Sequence, residues 1–140
     1  MKGKGINIDL DAIIVGDNAQ VLVTQAEALG RQLAQDRLST SQIRNIFGTV
    51  RRIEMNWPEQ PQSEAEAARA SKAQRELLLL KPKMAYQAKR ESGNRGHAVE
   101  TLTGVLSDAI DKVGSDRKKF QNFVDFFEAI LAYHKAHGGK

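Results

Sequence analysis

The sequence contains no cysteine, so disulfides, iron–sulfur clusters, thiolate zinc sites and cysteine nucleophiles are all excluded. Its longest uninterrupted aliphatic run, Leu77–Leu80, is far too short to cross a bilayer. Residues 1–15 lack the long apolar stretch of a signal peptide. These absences predict a cytoplasmic protein, and a chain of 140 residues is long enough to be stabilised by a single hydrophobic core.

Proline is also scarce, with three residues, whereas helix-forming Ala, Leu, Gln, Glu, Lys and Arg are abundant. Apolar residues at a period of 3.6, together with end signals, predict helical segments along most of the chain. We therefore predict an all-α fold, a compact bundle of about five helices, as one domain over residues 17–140. Residues 1–16 form a short N-terminal arm that packs on the bundle, joins a neighbouring molecule or stays flexible.

Particular residues mark the ends of the predicted helices. Ser39 and Gln42 have the spacing of a capping box at the start of the second helix. Pro82 interrupts the apolar pattern of the third, so that helix either kinks there or ends and restarts with proline in its first turn. Gly114 closes the fourth helix and Ser115 is placed to cap the fifth.

Positive charge is concentrated in one segment. The formal charge is +4, and residues 69–95 contain eight basic residues but only two acids, whereas the rest of the chain contains 13 basic and 15 acidic residues. Opposite the apolar side of the third helix, six residues recur at intervals of three or four, and we call this set the cationic stripe. It consists of Lys72, Arg75, Leu79, Lys83, Tyr86 and Arg90.

The cationic stripe suits a phosphodiester backbone if its helix continues through Pro82. Ammonium and guanidinium groups pair with phosphates, and the ring of Tyr86 can stack on an unpaired base or a ribose. The alternative is an ordinary solvated helix face, which has a similar pattern of charges. The sequence pattern leaves both interpretations open.

The second helix has a smaller basic element. Arg44 and Arg51 are seven residues apart and therefore project within about 20° of each other. Gly48 lies between them on nearly the same side, where another backbone can approach closely. The two arginines either clamp a phosphate or cover the rim of the apolar face with their stems. Arg52 points away from the predicted core and is available to a partner.

The fifth helix carries a row of residues beside its main apolar face. Lys119, Phe126 and Tyr133 repeat every seven residues, which indicates contact with either another helix or a neighbouring subunit. His134 and His137 have a spacing that suits two metal ligands, but no third ligand can be located, and we predict no metal site. Without a phosphate-binding loop, dinucleotide fingerprint or paired carboxylates, we predict no cofactor and no catalytic site.

Three blocks of the sequence together resemble one family. They are STSQIRNIF at Ser39–Phe47, LLLLKPKMAYQAKR at Leu77–Arg90 and FEAILAYHK at Phe127–Lys135. Their order and spacing are similar to those of the small helical subunit of the type III-A CRISPR-Cas effector, the Csm complex. The resemblance covers most of residues 39–135, and residues 1–38 and the linker at 59–71 do not contribute to it.

The resemblance implies a non-catalytic RNA-binding subunit of an antiviral defence complex. Copies of the small subunit would stack along the inner side of the complex and hold target RNA paired with guide RNA, while the large and backbone subunits carry the catalysis. The partners implied are guide RNA, target RNA, the other Csm subunits and further copies of the chain. The implied RNA contacts are Arg44, Arg51, Arg52, Lys81, Lys83, Tyr86, Arg90 and Lys135, to which the cationic stripe adds Lys72 and Arg75. Lys119, Phe126 and Tyr133 become candidates for a subunit contact.

Two other functions fit parts of the sequence. The second helix begins Thr40-Ser41-Gln42-Ile43-Arg44, which resembles the start of a DNA recognition helix. Against a DNA-binding regulator, the strongest positive charge lies outside this helix, and the helix is too apolar to sit freely in a groove. A purely protein–protein adaptor, in which the basic residues serve solubility, is the third possibility.

Overall fold

The structure is a computed structural model that describes residues 7–91 and 96–140. These residues form a π-helical turn at Asp11–Val15, which we call the N-terminal turn, and five α-helices, with no strand among them. The predicted all-α bundle of five helices is confirmed. The helices are α1 (Ala19–Gln35), α2 (Thr40–Met55), α3 (Glu64–Arg90), α4 (Gly96–Val113) and α5 (Arg117–Ala136).

Aromatic rings of α5 fill the centre of the core. Phe120 and Phe127 are fully buried. The ring of Trp57 stacks on Phe120 with 4.7 Å between centroids, and Phe47 meets Phe127 edge to face at 5.1 Å. Since Phe47 precedes Trp57 while Phe120 precedes Phe127, α2 and α5 run antiparallel. Each such ring pair adds about 1 kcal/mol to the stabilisation from burial alone.

Close contact between α1 and α5 depends on Gly30. A Cβ atom at this position would lie 2.8 Å from both the Tyr133 Cβ and the His134 backbone nitrogen. Any side chain at position 30 would therefore push the two helices apart. Beside this contact the His134 ring is fully buried, and its Nε2 donates to the carbonyl oxygen of Leu38 at 2.6 Å.

The predicted end signals correspond closely to the observed helix ends. Ser39 and Gln42 form the reciprocal capping box of α2, and Gly114 follows α4 with a φ of 59°, a conformation that glycine adopts readily. The cap of α5 differs from the prediction. Asp116, not Ser115, accepts hydrogen bonds from two backbone N–H groups of the first turn. A carboxylate at this position also interacts favourably with the helix dipole.

α3 continues through Pro82 for 27 residues, so the cationic stripe lies on one uninterrupted helix. Pro82 cannot donate a hydrogen bond to the carbonyl of Leu78. Both residues are exposed, which allows water to bind that carbonyl instead. Of the two predicted alternatives, an end and restart at the proline is wrong.

Residues 7–16 pack on the bundle. Ile13 and Ile14 of the N-terminal turn are fully buried, and the side-chain amide of Asn122 in α5 donates to the Ile14 carbonyl oxygen at 3.0 Å. Packing on the bundle, one of the three alternatives predicted for the N-terminal arm, is therefore what residues 7–16 show. Residues 1–6 of the arm lie outside the described residues.

Candidate nucleic-acid interface

The cationic stripe occupies the outward side of α3. At about 100° per residue, its centre lies roughly 140° from the centre of the buried side. All six members of the stripe are exposed, and Tyr86 exposes 66% of its surface. The buried side of α3 consists of Ala73, Leu77, Leu80, Met84 and Ala88.

Tyr86 and Arg90 form a pair near the end of α3. The guanidinium carbon of Arg90 lies 5.6 Å from the centroid of the Tyr86 ring, which is within the range of a cation–π interaction. Arg90 also lies 3.5 Å from the Glu91 carboxylate, although its side chain remains 60% exposed. The pair therefore presents an aromatic ring and a cation to solvent side by side.

The other cations of the stripe are not neutralised by the described part of the chain. Lys72, Arg75 and Lys83 form no ion pair with any residue that the structure describes. Like-charged side chains along one helix face repel one another by a few tenths of a kcal/mol per pair. An anionic partner would relieve that repulsion, so the stripe is suited to bind one.

Lys81 does not belong to this surface. Its ammonium group forms an ion pair with Asp111, which links α3 to α4. On the same side of α3, the Gln74 amide donates to the Gly114 carbonyl oxygen at 3.2 Å. The resemblance implied an RNA contact for Lys81, whereas the structure places its charge against a carboxylate of the same molecule. We leave it out of the candidate interface.

α2 lies beside the cationic stripe, antiparallel to α3. Gln42, near the start of α2, donates to Glu91 just after the end of α3. Asn56, just after α2, lines a small cavity with Lys72 and Glu76 from the first half of α3. Gln42 and Asn56 are close to four helical turns apart, so they mark one side of α2, the side that faces α3.

This orientation of α2 divides its arginines between two surfaces. Arg52 projects about 80° around the helix from Gln42, towards solvent and next to the cationic stripe. Arg44 and Arg51 project about 180–200° from Gln42 and therefore leave α2 on the side away from α3. The structure thus places Arg52 beside the cationic stripe. Arg44 and Arg51 lie on a different side of the molecule, away from Arg52 and from the stripe.

Arg44 and Arg51 form a second, smaller basic surface. Arg51 donates to Glu54 at 2.9 Å, and its guanidinium carbon lies 6.0 Å from the centroid of the Phe47 ring. Arg51 therefore covers part of the apolar rim, as one of the two predicted alternatives had it. Arg44 is exposed and makes no ion pair with a described residue.

The row on α5 faces the inside of the molecule. Phe126 is fully buried, and Tyr133 is half-buried against Gly30 of α1. Phe126 is therefore not available for the expected subunit contact, and α1 of the same chain already covers part of Tyr133. Lys119 is half-buried near the start of α5, and Lys135 is exposed near its end, outside both basic surfaces.

The two histidines of α5 have separate partners. His134 is bound to the Leu38 carbonyl in the core, whereas His137 lies 3.7 Å from the Glu27 carboxylate at the surface. Within residues 7–91 and 96–140, no group of three His, Asp or Glu side chains is placed to hold a metal ion. Among the same residues, no helix is both long and apolar enough to cross a membrane.

The fold and this surface define a small all-α protein whose cationic side suits an anionic partner. Comparison with protein families identifies the particular family, because the family model described as Csm2 Type III-A matches residues 16–140. The chain therefore belongs to the Csm2 family and is a small subunit of the type III-A Csm complex, which contains other subunits. The resemblance found in the sequence is confirmed. Neither the curated proteins nor the solved structures give a match.

Proposed function

We propose that the chain is a non-catalytic subunit that binds the sugar-phosphate backbone of guide RNA paired with target RNA. The observation that carries this proposal is the placement of Lys83, Tyr86 and Arg90, which are exposed together along one side of the continuous helix α3. Because the chain belongs to the Csm2 family, this surface would bind RNA within a Csm ribonucleoprotein complex.

The proposed interface lies on one side of the molecule. Lys81 is excluded because it is paired with Asp111, and Lys135 lies on another helix. Arg44 and Arg51 are excluded because they leave α2 on the side away from α3. The RNA contacts that we propose are Arg52, Lys72, Arg75, Lys83, Tyr86 and Arg90.

Binding would depend on charge and shape rather than on sequence. Lysine and arginine contacts to phosphates carry no base information, and in RNA-guided systems base pairing between guide and target supplies the specificity. Where a base of this RNA is unpaired, the Tyr86 ring can stack on it while Arg90 lies over the same ring. A few phosphate contacts give weak binding by one subunit, which becomes effective when several copies bind the same RNA.

Filter binding with single-stranded RNA and with a guide–target duplex tests the proposal. Lys83→Glu combined with Arg90→Glu should abolish binding. Arg31→Glu combined with Lys140→Glu is the matched control, since it changes the net charge equally at exposed sites away from α3. Equal loss of affinity in both variants would show that only total charge matters and would overturn the assignment of the surface.

Competition with duplex DNA separates this function from the alternatives. A DNA-binding regulator would prefer one duplex sequence over single-stranded RNA, and that result would reject the proposal. For an adaptor that contacts only proteins, substitutions at Lys83 and Arg90 would leave the affinity for RNA and for DNA unchanged. Our proposal requires RNA to be preferred, without dependence on its sequence.

A further inference from the structure

One acid, Glu91, lies directly after the cationic stripe. Residues 77–91 contain four lysine or arginine residues, and Glu91 is the only acid among them. Glu91 follows Arg90 in the chain, and one of its carboxylate oxygens lies 3.5 Å from a terminal guanidinium nitrogen of Arg90. The protein therefore holds a carboxylate beside the last cation that the stripe offers to a phosphate.

Two side-chain amides hold the Glu91 carboxylate in place. Gln42 of α2 donates to one carboxylate oxygen, and Gln87, one turn earlier in α3, donates to the other at 3.4 Å. The amide oxygen of Gln42 also accepts from the Ser39 backbone N–H, which fixes this side chain at the start of α2. The Glu91 side chain is 22% exposed, whereas that of Arg90 is 60% exposed. Glu91 is therefore the fixed member of the ion pair, and Arg90 is the member that can move.

These contacts allow Arg90 to exchange its anionic partner. The guanidinium N–H groups of Arg90 can donate to a phosphate oxygen as well as to a carboxylate. An ion pair with so exposed a member is weak, so a phosphate can displace the carboxylate. When Arg90 moves away, Gln42 and Gln87 still donate to Glu91, and the carboxylate is not left without hydrogen-bond donors.

We infer that Glu91 competes with phosphate for Arg90 and thereby limits the affinity of the protein for polyanions. Arg90 gives up its ion pair when it binds a phosphate, and the fixed carboxylate then repels that phosphate. The inference rests on the proposed function, in which Arg90 contacts the RNA backbone, and it adds a residue that opposes this contact. A polyanion that reaches Arg90 alone is held weakly, so retention requires further contacts along the stripe, such as those of Lys83 and Tyr86.

Glu91→Gln tests the competition, because its amide keeps an oxygen acceptor for Gln42 but carries no charge. Fluorescence anisotropy of the full chain with labelled single-stranded RNA at low salt should show an affinity about two- to fivefold higher than that of the wild type. The gain should shrink as the salt concentration rises, and circular dichroism should show unchanged helicity. Glu128→Gln, the same change at an exposed site on α5, is the matched control and should alter the affinity much less.

A double-mutant cycle shows whether Glu91 acts through Arg90. In the Arg90→Gln background, Glu91→Gln should have little further effect, because the cation for which the carboxylate competes is absent. An equal gain in both backgrounds, or an equal gain in Glu128→Gln, would show that only total charge matters and would overturn the inference. A lower affinity in Glu91→Gln would show that the carboxylate supports binding, which would also overturn it.

Inorganic polyphosphate separates this inference from the proposed function, because it offers phosphates without a ribose or a base. Glu91→Gln should raise the affinity for polyphosphate by a factor similar to that for RNA. If RNA binding proves independent of Lys83 and Arg90, the proposed function fails, and the polyphosphate titration still decides whether Glu91 opposes phosphate at Arg90. An unchanged affinity for polyphosphate in Glu91→Gln would overturn the inference alone, and a wild-type chain that binds neither polyanion would overturn both.

Discussion

Arg90 lies over the ring of Tyr86, with 5.6 Å between its guanidinium carbon and the ring centroid. One face of an exposed tyrosine is therefore held by a cation, and the ring is kept on the outward side of α3 between Lys83 and the end of the helix. A base stacked on Tyr86 would gain from both the ring and the neighbouring charge.

The first prediction concerns this ring. Tyr86→Ala should weaken binding to single-stranded RNA by about 1–3 kcal/mol, which is the range for the loss of one base-stacking contact. Tyr86→Phe should bind nearly as well as the wild type, because it keeps the ring. Fluorescence anisotropy with labelled RNA measures both affinities. A similar loss in the two variants would mean that the hydroxyl, rather than stacking, makes the contact.

The second prediction concerns the salt dependence of RNA binding. If about four phosphates are neutralised, the logarithm of the affinity for single-stranded RNA should fall against the logarithm of salt concentration with a slope near −3. Removing two contacts with Lys83→Gln and Arg90→Gln should reduce the magnitude of that slope by about 1.4. A salt series in filter binding measures both values, and a flat line for the wild type would reject backbone recognition.

The third prediction compares glycines in opposite environments. Gly30→Ala should destabilise the fold by about 1–3 kcal/mol, because its Cβ would lie 2.8 Å from atoms of Tyr133 and His134. Gly104→Ala should stabilise it by up to about 1 kcal/mol, because the site is open and alanine favours helix. Urea denaturation measures the free energy of unfolding. Equal effects at both positions would contradict the close packing of α1 on α5.

The fourth prediction concerns the cap of α5. Asp116→Ala should cost about 1 kcal/mol of stability, since two backbone N–H groups lose their acceptor and the helix dipole loses a favourable charge. Ser115→Ala, one residue earlier, should change stability by no more than a few tenths of a kcal/mol. Thermal unfolding of the two variants distinguishes them, and the reverse order would assign the cap to Ser115.

Local patterns in the sequence were sufficient for the helices and for most of their ends. The capping box at Ser39 and Gln42 and the glycine at position 114 act on neighbouring backbone groups, so they can be recognised without knowledge of the rest of the fold. The stripe on α3 could be predicted for the same reason, since residues three or four apart on a helix are always neighbours.

What the sequence left open depends on contacts between distant segments. The separation of Arg44 from Arg52 follows from the side of α2 that faces α3, which is marked by the contact of Gln42 with Glu91, 49 residues away. The pairing of Lys81 with Asp111 is equally non-local. The periodicity of apolar residues also cannot identify what covers a buried face, so Phe126 would show the same pattern whether its own chain or another subunit covered it.

The proline in the middle of α3 means that the proposed binding surface is a product of the whole fold. An interior proline costs a free helix about 3 kcal/mol, so a synthetic peptide of residues 64–90 would be largely unstructured in water. The surface exists only while the apolar side of α3 is packed in the bundle. RNA that binds this surface must therefore raise the melting temperature of the protein, and heat that unfolds the protein must release the RNA.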